Sequence, residues 1–236
     1  MKYNKIVLKL SGEALLDKKE AGIDATRLAF YADEIANALS LGVSIAMVIG
    51  GGNIYRGAQT TGLELPRLQG DYMGMLATAI NGVALQSTLA KKGVPTRLMS
   101  RLAVEQVCEP YLPRHANKHL EKGRLVIIVG GLGRPYFTTD SAASLVAIEL
   151  GADVLLKGTR VNGVYTDDPL RNPAAVQLPK LTFKEAYEQK LRVMDMTAFT
   201  LCEENNLPMV VFDANQPGHL CRLLRGECIG TVISAG

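Results

Sequence analysis

Short, nearly continuous runs of Val, Ile, Leu and Met recur along the chain. Each is long enough for a strand, and most do not alternate apolar with polar residues. Such strands are buried on both faces, which is typical of parallel sheets covered by helices. The predicted strands are 5–10, 43–49, 95–99, 124–129, 153–156, 208–212 and 229–233.

Helical patterns lie between most of these runs. Asp24 is a favourable N-cap, and Thr182 followed by Glu185 matches a capping box. We predict helices over 24–41, 71–92, 140–150, 182–190, 195–206 and 217–226. Alternating strands and helices predict an α/β fold, a three-layer α/β/α sandwich with a largely parallel central sheet. Because no linker or low-complexity segment interrupts the pattern, we expect a single domain over residues 1–236.

Composition argues against several classes of function. The net charge of +3 is too small to indicate binding to nucleic acid or to a membrane surface. With 5 Phe, 8 Tyr and no Trp, the chain has little aromatic surface for stacking bases. The apolar stretches are too short for a membrane span, and charges interrupt the first ten residues, where a signal peptide would be apolar. We therefore expect a cytoplasmic protein without nucleic-acid or membrane partners.

Cysteine and histidine do not form a recognisable metal motif. No CxxC pair is present, so unpaired thiols in a reduced, cytosolic protein are expected at Cys108, Cys202, Cys221 and Cys228. His115 and His119 could share one helix face, but the surrounding RHANKHLEK is strongly polar. A solvated helix face is therefore preferred over a metal site.

Three glycine-containing loops follow three of the predicted strands. They read KLSGEAL after the first strand, GGGNIYRG (50–57) after the second, and GGLGRPYFTTDSAA (130–143) after the run RLVIIV. Each loop alone could be a tight turn, but together they indicate backbone N–H groups that approach phosphate oxygens at one sheet edge. The chain contains neither a Walker P-loop nor a Rossmann fingerprint, so the phosphate site is of another kind.

Two lysines emerge from apolar strands close to these loops. Lys9 lies near the end of the first strand, and Lys157 ends the run DVLLK. Either lysine alone is best interpreted as a strand-end residue whose ammonium group reaches solvent. Together with the loops, they suggest paired anchors for a polyphosphate and therefore phosphoryl transfer.

Several motifs occur in an order that resembles the bacterial UMP kinases, the uridylate kinases of the amino-acid kinase superfamily. They are K-L-S-G-E at 9–13, G-G-G-N at 50–53 with Arg56, G-D-x-M-G-M-L-A-T at 70–78, G-x-P-x-x-T-T-D at 133–140, L-K-x-T at 156–159, V-Y-x-x-D-P at 164–169 and V-M-D at 193–195. The resemblance extends from about residue 4 to residue 233. It implies reversible transfer of the γ-phosphoryl group of ATP to UMP with Mg²⁺, giving UDP and ADP, in pyrimidine nucleotide biosynthesis.

The resemblance also implies roles for individual residues. Those expected to contact ATP are Lys9, Leu10, Ser11, Gly12, Gly52, Arg56, Thr159, Tyr165 and Asp168. Those expected to contact UMP are Gly51, Asp71, Leu132, Gly133, Arg134, Pro135, Tyr136, Phe137, Thr138 and Thr139. The expected catalytic residues are Lys9, Lys157, Arg56 and Asp195, with Asp195 orienting Lys9 by charge pairing. No side chain is expected to bind the metal, because phosphates and water would hold it.

Structural alternatives exist for the carboxylates. Asp140 and Asp195 are both suitable N-caps, and Asp71 could begin the predicted helix 71–92. The chain also departs from the family pattern: Leu132 replaces a small hydroxyl residue, Asn162 an aspartate, Arg160 a lysine and Gly158 an alanine. These changes affect fine nucleotide contacts rather than the reaction class.

The resemblance further implies a homohexamer and inhibition by UTP at the UMP site. The segment DKKEAG (17–22) is charged where many relatives are glycine-rich, so activation by GTP is expected to be weak or absent. The sequence leaves two alternative functions open. One is a superfamily phosphotransferase that acts on a carboxylate or carbamate, and the other is a non-catalytic nucleotide-binding protein on this fold.

Overall fold

A computed structural model describes residues 1–17, 21–55, 65–167, 169, 171–191 and 193–236. Its strands are β1 (Lys5–Leu10), β2 (Ser44–Ile49), β3 (Thr96–Ser100), β4 (Glu109–Pro110), β5 (Leu125–Val129), β6 (Val154–Thr159), β7 (Val164–Tyr165), β8 (Gln177–Leu178), β9 (Lys180–Thr182), β10 (Met209–Asp213) and β11 (Thr231–Ser234). Its helices are α1 (Ala25–Leu39), α2 (Arg67–Lys91), α3 (Pro113–Glu121), α4 (Thr139–Leu150), α5 (Phe183–Glu188), α6 (Met196–Glu204) and α7 (His219–Leu224), with a 3₁₀ turn at Gly12–Leu15.

Within these ranges the central sheet has nine strands in the order β4-β3-β5-β2-β1-β6-β10-β11-β9. Neighbouring strands are parallel except for the antiparallel pair β10–β11. Strands β7 and β8 form a separate antiparallel pair. The predicted largely parallel sheet is confirmed, and all seven predicted strands belong to it.

Apolar side chains cover both faces of the sheet, as the continuous runs predict. Ile6, Leu8 and Leu10 of β1 lie in one core with side chains of α1, α2 and α7. Val7 lies in the opposite core with side chains from α3, α4, α5 and α6. Because successive strand residues point to opposite faces, Lys9 lies on the same face as Val7, the face that α4 covers.

The helix predictions are confirmed apart from their ends and one omission. α2 begins at Arg67, four residues before the predicted start, so Asp71 is a full turn inside the helix. α3 was not predicted because its composition is polar, although Pro113 suits a first helical position. In this helix His115 is exposed, and Nε2 of His119 lies 3.1 Å from Oε2 of Glu109.

The described ranges contain free thiols, but neither a membrane-spanning helix nor a cluster of metal ligands. None of the helices there combines the length and apolarity needed to cross a bilayer. Within the same ranges, no three His, Cys, Asp or Glu side chains converge as metal ligands would. All four cysteines are free thiols, as expected.

Candidate active site

Two lysines and one aspartate form the centre of the site. Lys9 and Lys157 occupy directly paired positions on the parallel strands β1 and β6. Nζ of Lys9 lies 2.6 Å from Oδ1 of Asp140, and Nζ of Lys157 lies 2.6 Å from Oδ2. All three side chains are largely buried, and Lys157 also donates a hydrogen bond to the carbonyl of Val193 at 2.6 Å.

Burial and neighbouring charge shift the pKa values of Asp140 and Lys157. Burial is the largest single effect on Asp140 and raises its pKa. The ammonium groups of Lys9 and Lys157 together outweigh burial, so the pKa of Asp140 lies below its ordinary value. Burial lowers the pKa of Lys157, although the carboxylate of Asp140 opposes that shift. One carboxylate thus faces two lysines, so with both lysines protonated the site keeps positive charge for a phosphate.

Helix capping positions Asp140. The N-cap of α4 is Thr138, whose Oγ1 accepts hydrogen bonds from the backbone N–H groups of Asp140 and Ser141 at 3.0 and 3.2 Å. The interpretation of Asp140 as an N-cap is therefore wrong, since it lies in the first turn of the helix. Its side chain is instead free to face the lysines.

Asp195 has a different partner from the one expected. It is the N-cap of α6, where its Oδ1 accepts from the N–H of Ala198 at 3.0 Å. Its carboxylate also accepts hydrogen bonds from the hydroxyls of Thr138 and Ser141. The prediction that Asp195 orients Lys9 by charge pairing is wrong, because Asp140 takes that position. Asp195 instead links the start of α6 to the start of α4.

The first two glycine loops meet beside the lysines. A Cβ atom on Gly12 would lie 2.7 Å from the carbonyl oxygen of Gly50 and 2.8 Å from the nitrogen of Gly52. Both distances are shorter than a Cβ atom tolerates, so this position requires glycine. Leu10 places its side chain in the core on the α1 side, so only its backbone can face a ligand. Oγ of Ser11 caps the 3₁₀ turn by accepting from the N–H of Glu13.

Two buried amides hold the second loop, and the sequence interpretation did not anticipate them. Asn53 and Asn81 exchange hydrogen bonds of 2.9 and 2.7 Å. Asn81 also donates to the carbonyl of Gly50 at 2.8 Å. Thr78 accepts from the N–H of Gly130 at 2.8 Å, which ties the third loop to α2. The available signal was that Thr78 and Asn81 lie within residues 72–90, a stretch without charged residues.

A cavity of about 160 Å³ lies between α2 and the third loop, and we name it the acceptor cavity. Asp71 lines it, and its Oδ2 accepts a 2.7 Å hydrogen bond from the backbone N–H of Tyr136. The idea that Asp71 begins a helix is wrong because α2 starts at Arg67. Expected UMP contacts that line this cavity are Gly51, Asp71, Arg134, Phe137, Thr138 and Thr139. Gly52, expected at ATP, also lines it.

A second cavity, of about 640 Å³, lies beyond Lys157 and contains both Thr159 and Tyr165. It also includes Val193, the backbone partner of Lys157. The lysines and Asp140 do not line either cavity, but Asp140 follows Thr139 of the first, and Lys157 contacts Val193 of the second. Arg56 and Asp168, both expected at ATP, lie outside the described residues.

The remaining expected UMP contacts are not in the acceptor cavity. Leu132 and Gly133 line a neighbouring cavity of about 480 Å³, which Arg134 shares with the acceptor cavity. Pro135 and Tyr136 are not among the residues that line the acceptor cavity. Tyr136 reaches it only indirectly, through the hydrogen bond of its N–H to Asp71.

Two paired lysines close to glycine loops and to residues of two cavities fit a phosphotransferase that uses charge and positioning. Comparison with known proteins identifies its family. The model of the amino acid kinase family matches residues 4–213. A uridylate kinase of Methylococcus capsulatus is 51% identical over 234 residues, which are 99% of this chain and 98% of that protein.

Solved structures agree with the sequence comparison. The UMP kinase of Bacillus anthracis matches with a TM-score of 0.96 and 37% identity, covering 100% of this chain and 97% of that one. The UMP kinase of Ureaplasma parvum matches with a TM-score of 0.93 and 36% identity, covering 99% and 100%. The chain belongs to the amino acid kinase family and, within it, to the uridylate kinases.

Proposed function

We infer that the chain is a UMP kinase that transfers the γ-phosphoryl group of ATP reversibly to UMP. Membership of the uridylate kinases supports this activity. The observation that carries it is the pairing of Lys9 and Lys157 through Asp140, close to residues that line two cavities. No finding favours a carboxylate or carbamate acceptor, or a protein without catalytic activity.

Charge neutralisation is the main task of these residues. A phosphoryl group in transfer carries charge on its equatorial oxygens, and phosphotransferases stabilise it mainly with fixed cations and N–H groups. We propose that Lys9 contacts the transferred group and that Lys157 contacts the phosphates of ATP or ADP. Each oxygen of Asp140 binds one ammonium group, which holds the two lysines side by side at the proposed position of the phosphates. Backbone N–H groups of Ser11, Gly12 and Gly52 would contribute without needing side-chain space.

The acceptor would occupy the cavity lined by Asp71. We propose that the free oxygen of this carboxylate accepts hydrogen bonds from ribose hydroxyls, while the other keeps its bond to Tyr136. Gly51 lines this cavity and would contact the UMP phosphate, and a Cβ there would lie 2.7 Å from the carbonyl oxygen of Gly74, so the loop needs glycine to pack against α2. Arg134, Phe137, Thr138 and Thr139 would enclose the nucleoside.

The donor would occupy the larger cavity. We propose that Thr159 and Tyr165 hold adenosine there, with Asp168 beside them in sequence. A volume of about 640 Å³ is in the ordinary range for sites that bind molecules of this size. Arg56 completes the expected set at ATP.

Mg²⁺ is the expected cofactor, and the side chains fit an ion carried by ATP. Asp140 is already paired with two lysines, and the described residues do not supply a cluster of metal ligands. We propose that phosphate oxygens and water bind the ion, which neutralises charge on the phosphates. The protein's contribution is to place those phosphates against Lys9 and Lys157.

We propose a homo-oligomer, with a hexamer expected from the resemblance. The sequence from residue 72 to residue 90 contains no charged residue, although much of α2 is exposed. Large apolar residues are 38–53% exposed along this helix at Leu68, Tyr72, Met73, Leu76, Ile80 and Val83. A helix whose buried and exposed faces are both apolar is normally packed on both sides. We propose that a second copy of the chain packs against the exposed face of α2.

Other aspects of the proposal rest on the resemblance. We propose a single domain over residues 1–236, because one sheet takes strands from Lys5 to Ser234. A cytoplasmic location and a role in pyrimidine nucleotide biosynthesis are proposed, together with inhibition by UTP. Weak or absent activation by GTP is proposed from the charged segment 17–22, of which residues 18–20 lie outside the described ranges.

A panel of acceptors tests the proposed activity. ADP formation from ATP and Mg²⁺ is measured by a coupled assay with UMP, CMP, AMP or aspartate. UMP should give by far the highest kcat/KM. Equal rates with CMP would remove the uridylate assignment, and a preference for aspartate would restore the carboxylate alternative.

A further inference from the structure

Tyr136 has a backbone conformation that is unusual for an aromatic residue. Its φ angle is 72°, in the left-handed region that bulky side chains rarely adopt. It is exposed, so a tightly packed core does not impose this conformation. The contact that accompanies it is the 2.7 Å hydrogen bond from its N–H to Oδ2 of Asp71.

Arg67 completes a three-residue cluster at the same place. Its guanidinium carbon lies 4.8 Å from the centre of the Tyr136 ring, within the range of a cation–π contact. Its Nε lies 3.7 Å from the same Oδ2 of Asp71, one helical turn away on α2. Arg67 therefore contacts both the ring of Tyr136 and the carboxylate that holds its backbone.

The cluster joins opposite sides of the acceptor cavity. Gly70 and Asp71 line the side formed by α2, while Arg134 and Phe137 line the side formed by the loop. Tyr136 lies between those two loop residues, so its attachment to α2 fixes the distance between the walls. We propose that Arg67, Asp71 and Tyr136 form an acceptor clasp, in which Arg67 and Tyr136 are positioning residues for UMP.

The clasp acts through Asp71 rather than by touching the nucleotide. Arg67 and the Tyr136 N–H hold one carboxylate oxygen, which orients the other oxygen toward the cavity. This role predicts an effect on UMP binding and none on ATP. It rests on the proposed UMP kinase activity.

Four variants test the clasp: Arg67→Met, Tyr136→Leu, the double variant and Tyr136→Phe. Kinetics with each substrate and calorimetric binding of UMP are measured. Both single variants should raise the KM and Kd for UMP roughly three- to tenfold, the size expected from losing one cation–π contact and one weak ion pair. The KM for ATP should stay unchanged. Tyr136→Phe keeps the ring and should therefore raise the KM for UMP less than Tyr136→Leu does.

The double variant distinguishes one cluster from two separate effects. If Arg67 and Tyr136 act together, it should bind UMP about as weakly as the weaker single variant. Arg114→Met, at an exposed arginine of α3, is the matched control and should have no effect. The clasp would be overturned if the losses of the two single variants multiplied in the double variant. It would also be overturned if the single variants raised the KM for ATP equally, or if they bound UMP as the wild type does. A wild-type chain without UMP turnover would overturn the proposed function, and the clasp with it.

Discussion

Lys9 and Lys157 are direct neighbours across two parallel strands, and their ammonium groups contact the two oxygens of a single carboxylate. Without Asp140, two like charges would face each other in a largely buried position, which is costly. With it, three charges form a compact group with a net charge of +1. This explains how lysines are tolerated at the ends of two apolar strands.

Replacing Asp140 by asparagine should therefore damage both stability and catalysis. Asp140→Asn keeps the shape of the side chain but leaves the two lysines unbalanced. We expect the free energy of unfolding to fall by about 3 kcal/mol, the cost of breaking a buried ion pair. We also expect kcat to fall by roughly 10²-fold or more. Urea unfolding and steady-state kinetics measure these effects.

The matched control for that variant is Asp33→Asn. Asp33 pairs with Lys92 at the same 2.6 Å, but on an exposed surface. Its loss should change stability by less than about 1 kcal/mol and leave kcat unchanged. If both variants behaved alike, the central role of Asp140 would be refuted.

The stability that Asp140 contributes should depend on pH. Its pKa is lower in the folded protein than in the unfolded chain, because Lys9 and Lys157 outweigh the effect of burial. The contribution is therefore fully present above the unfolded pKa of about 3.9 and is lost as pH falls through the lower folded pKa. Unfolding of wild type and Asp140→Asn, measured from pH 7 to pH 2, should show the difference shrinking only below about pH 4. A difference that is constant down to pH 2 would contradict this assignment.

The fold could be predicted from sequence because strand pattern and layer arrangement depend on local residue order. Apolar runs such as 124–129 need cover on both faces whatever their neighbours are. The helix α3 was not predicted because it lacks such an apolar pattern. Only Ala116 and Leu120 are buried in it. The early start of α2 at Arg67 has no N-cap side-chain hydrogen bond to mark it.

The site could be predicted only in part because its contacts join distant positions. The two lysines were recognised at strand ends, but the choice between Asp140 and Asp195 depends on where α4 and α6 lie. Both aspartates are themselves residues typical of N-caps. Only the observed N-caps, Thr138 and Asp195, show which carboxylate is left to face the lysines.

Lys9 should matter for the chemical step more than for binding. Lys9→Ala should lower kcat by roughly 10²-fold or more, as loss of one preorganised donor does. The KM for UMP should change little, because Lys9 is proposed to act on charge that develops in transfer. Rapid-quench measurement of ADP formation isolates this step. Lys92→Ala removes an exposed lysine and should behave as the wild type, whereas a wild-type kcat for Lys9→Ala would exclude the role.

Asp71 should determine the affinity for the acceptor. Asp71→Asn keeps an acceptor oxygen for the N–H of Tyr136 but removes the charge that favours ribose hydroxyls. We expect the KM for UMP to rise about tenfold and the KM for ATP to stay constant. An unchanged KM for UMP would show that Asp71 only shapes the loop.

Gly158 departs from the alanine of the family pattern, and the structure gives a reason. A Cβ there would lie 2.5 Å from Cδ2 of Leu10 and 2.8 Å from Cβ of Ala214. Leu10 can rotate away, but Ala214 can move only with its backbone. We therefore expect Gly158→Ala to lower the free energy of unfolding by about 1–3 kcal/mol, the usual cost of overpacking.

Gly74→Ala is the control for this effect, because a Cβ on that glycine of α2 would meet nothing within 4 Å. It should stabilise the helix by up to about 1 kcal/mol, since alanine is the better helix former. Urea unfolding of both variants measures the contrast. If Gly158→Ala were as stable as the wild type, the added methyl group would fit between β6 and Ala214 without any loss of folding free energy. That outcome would refute close packing as the reason for glycine at this position.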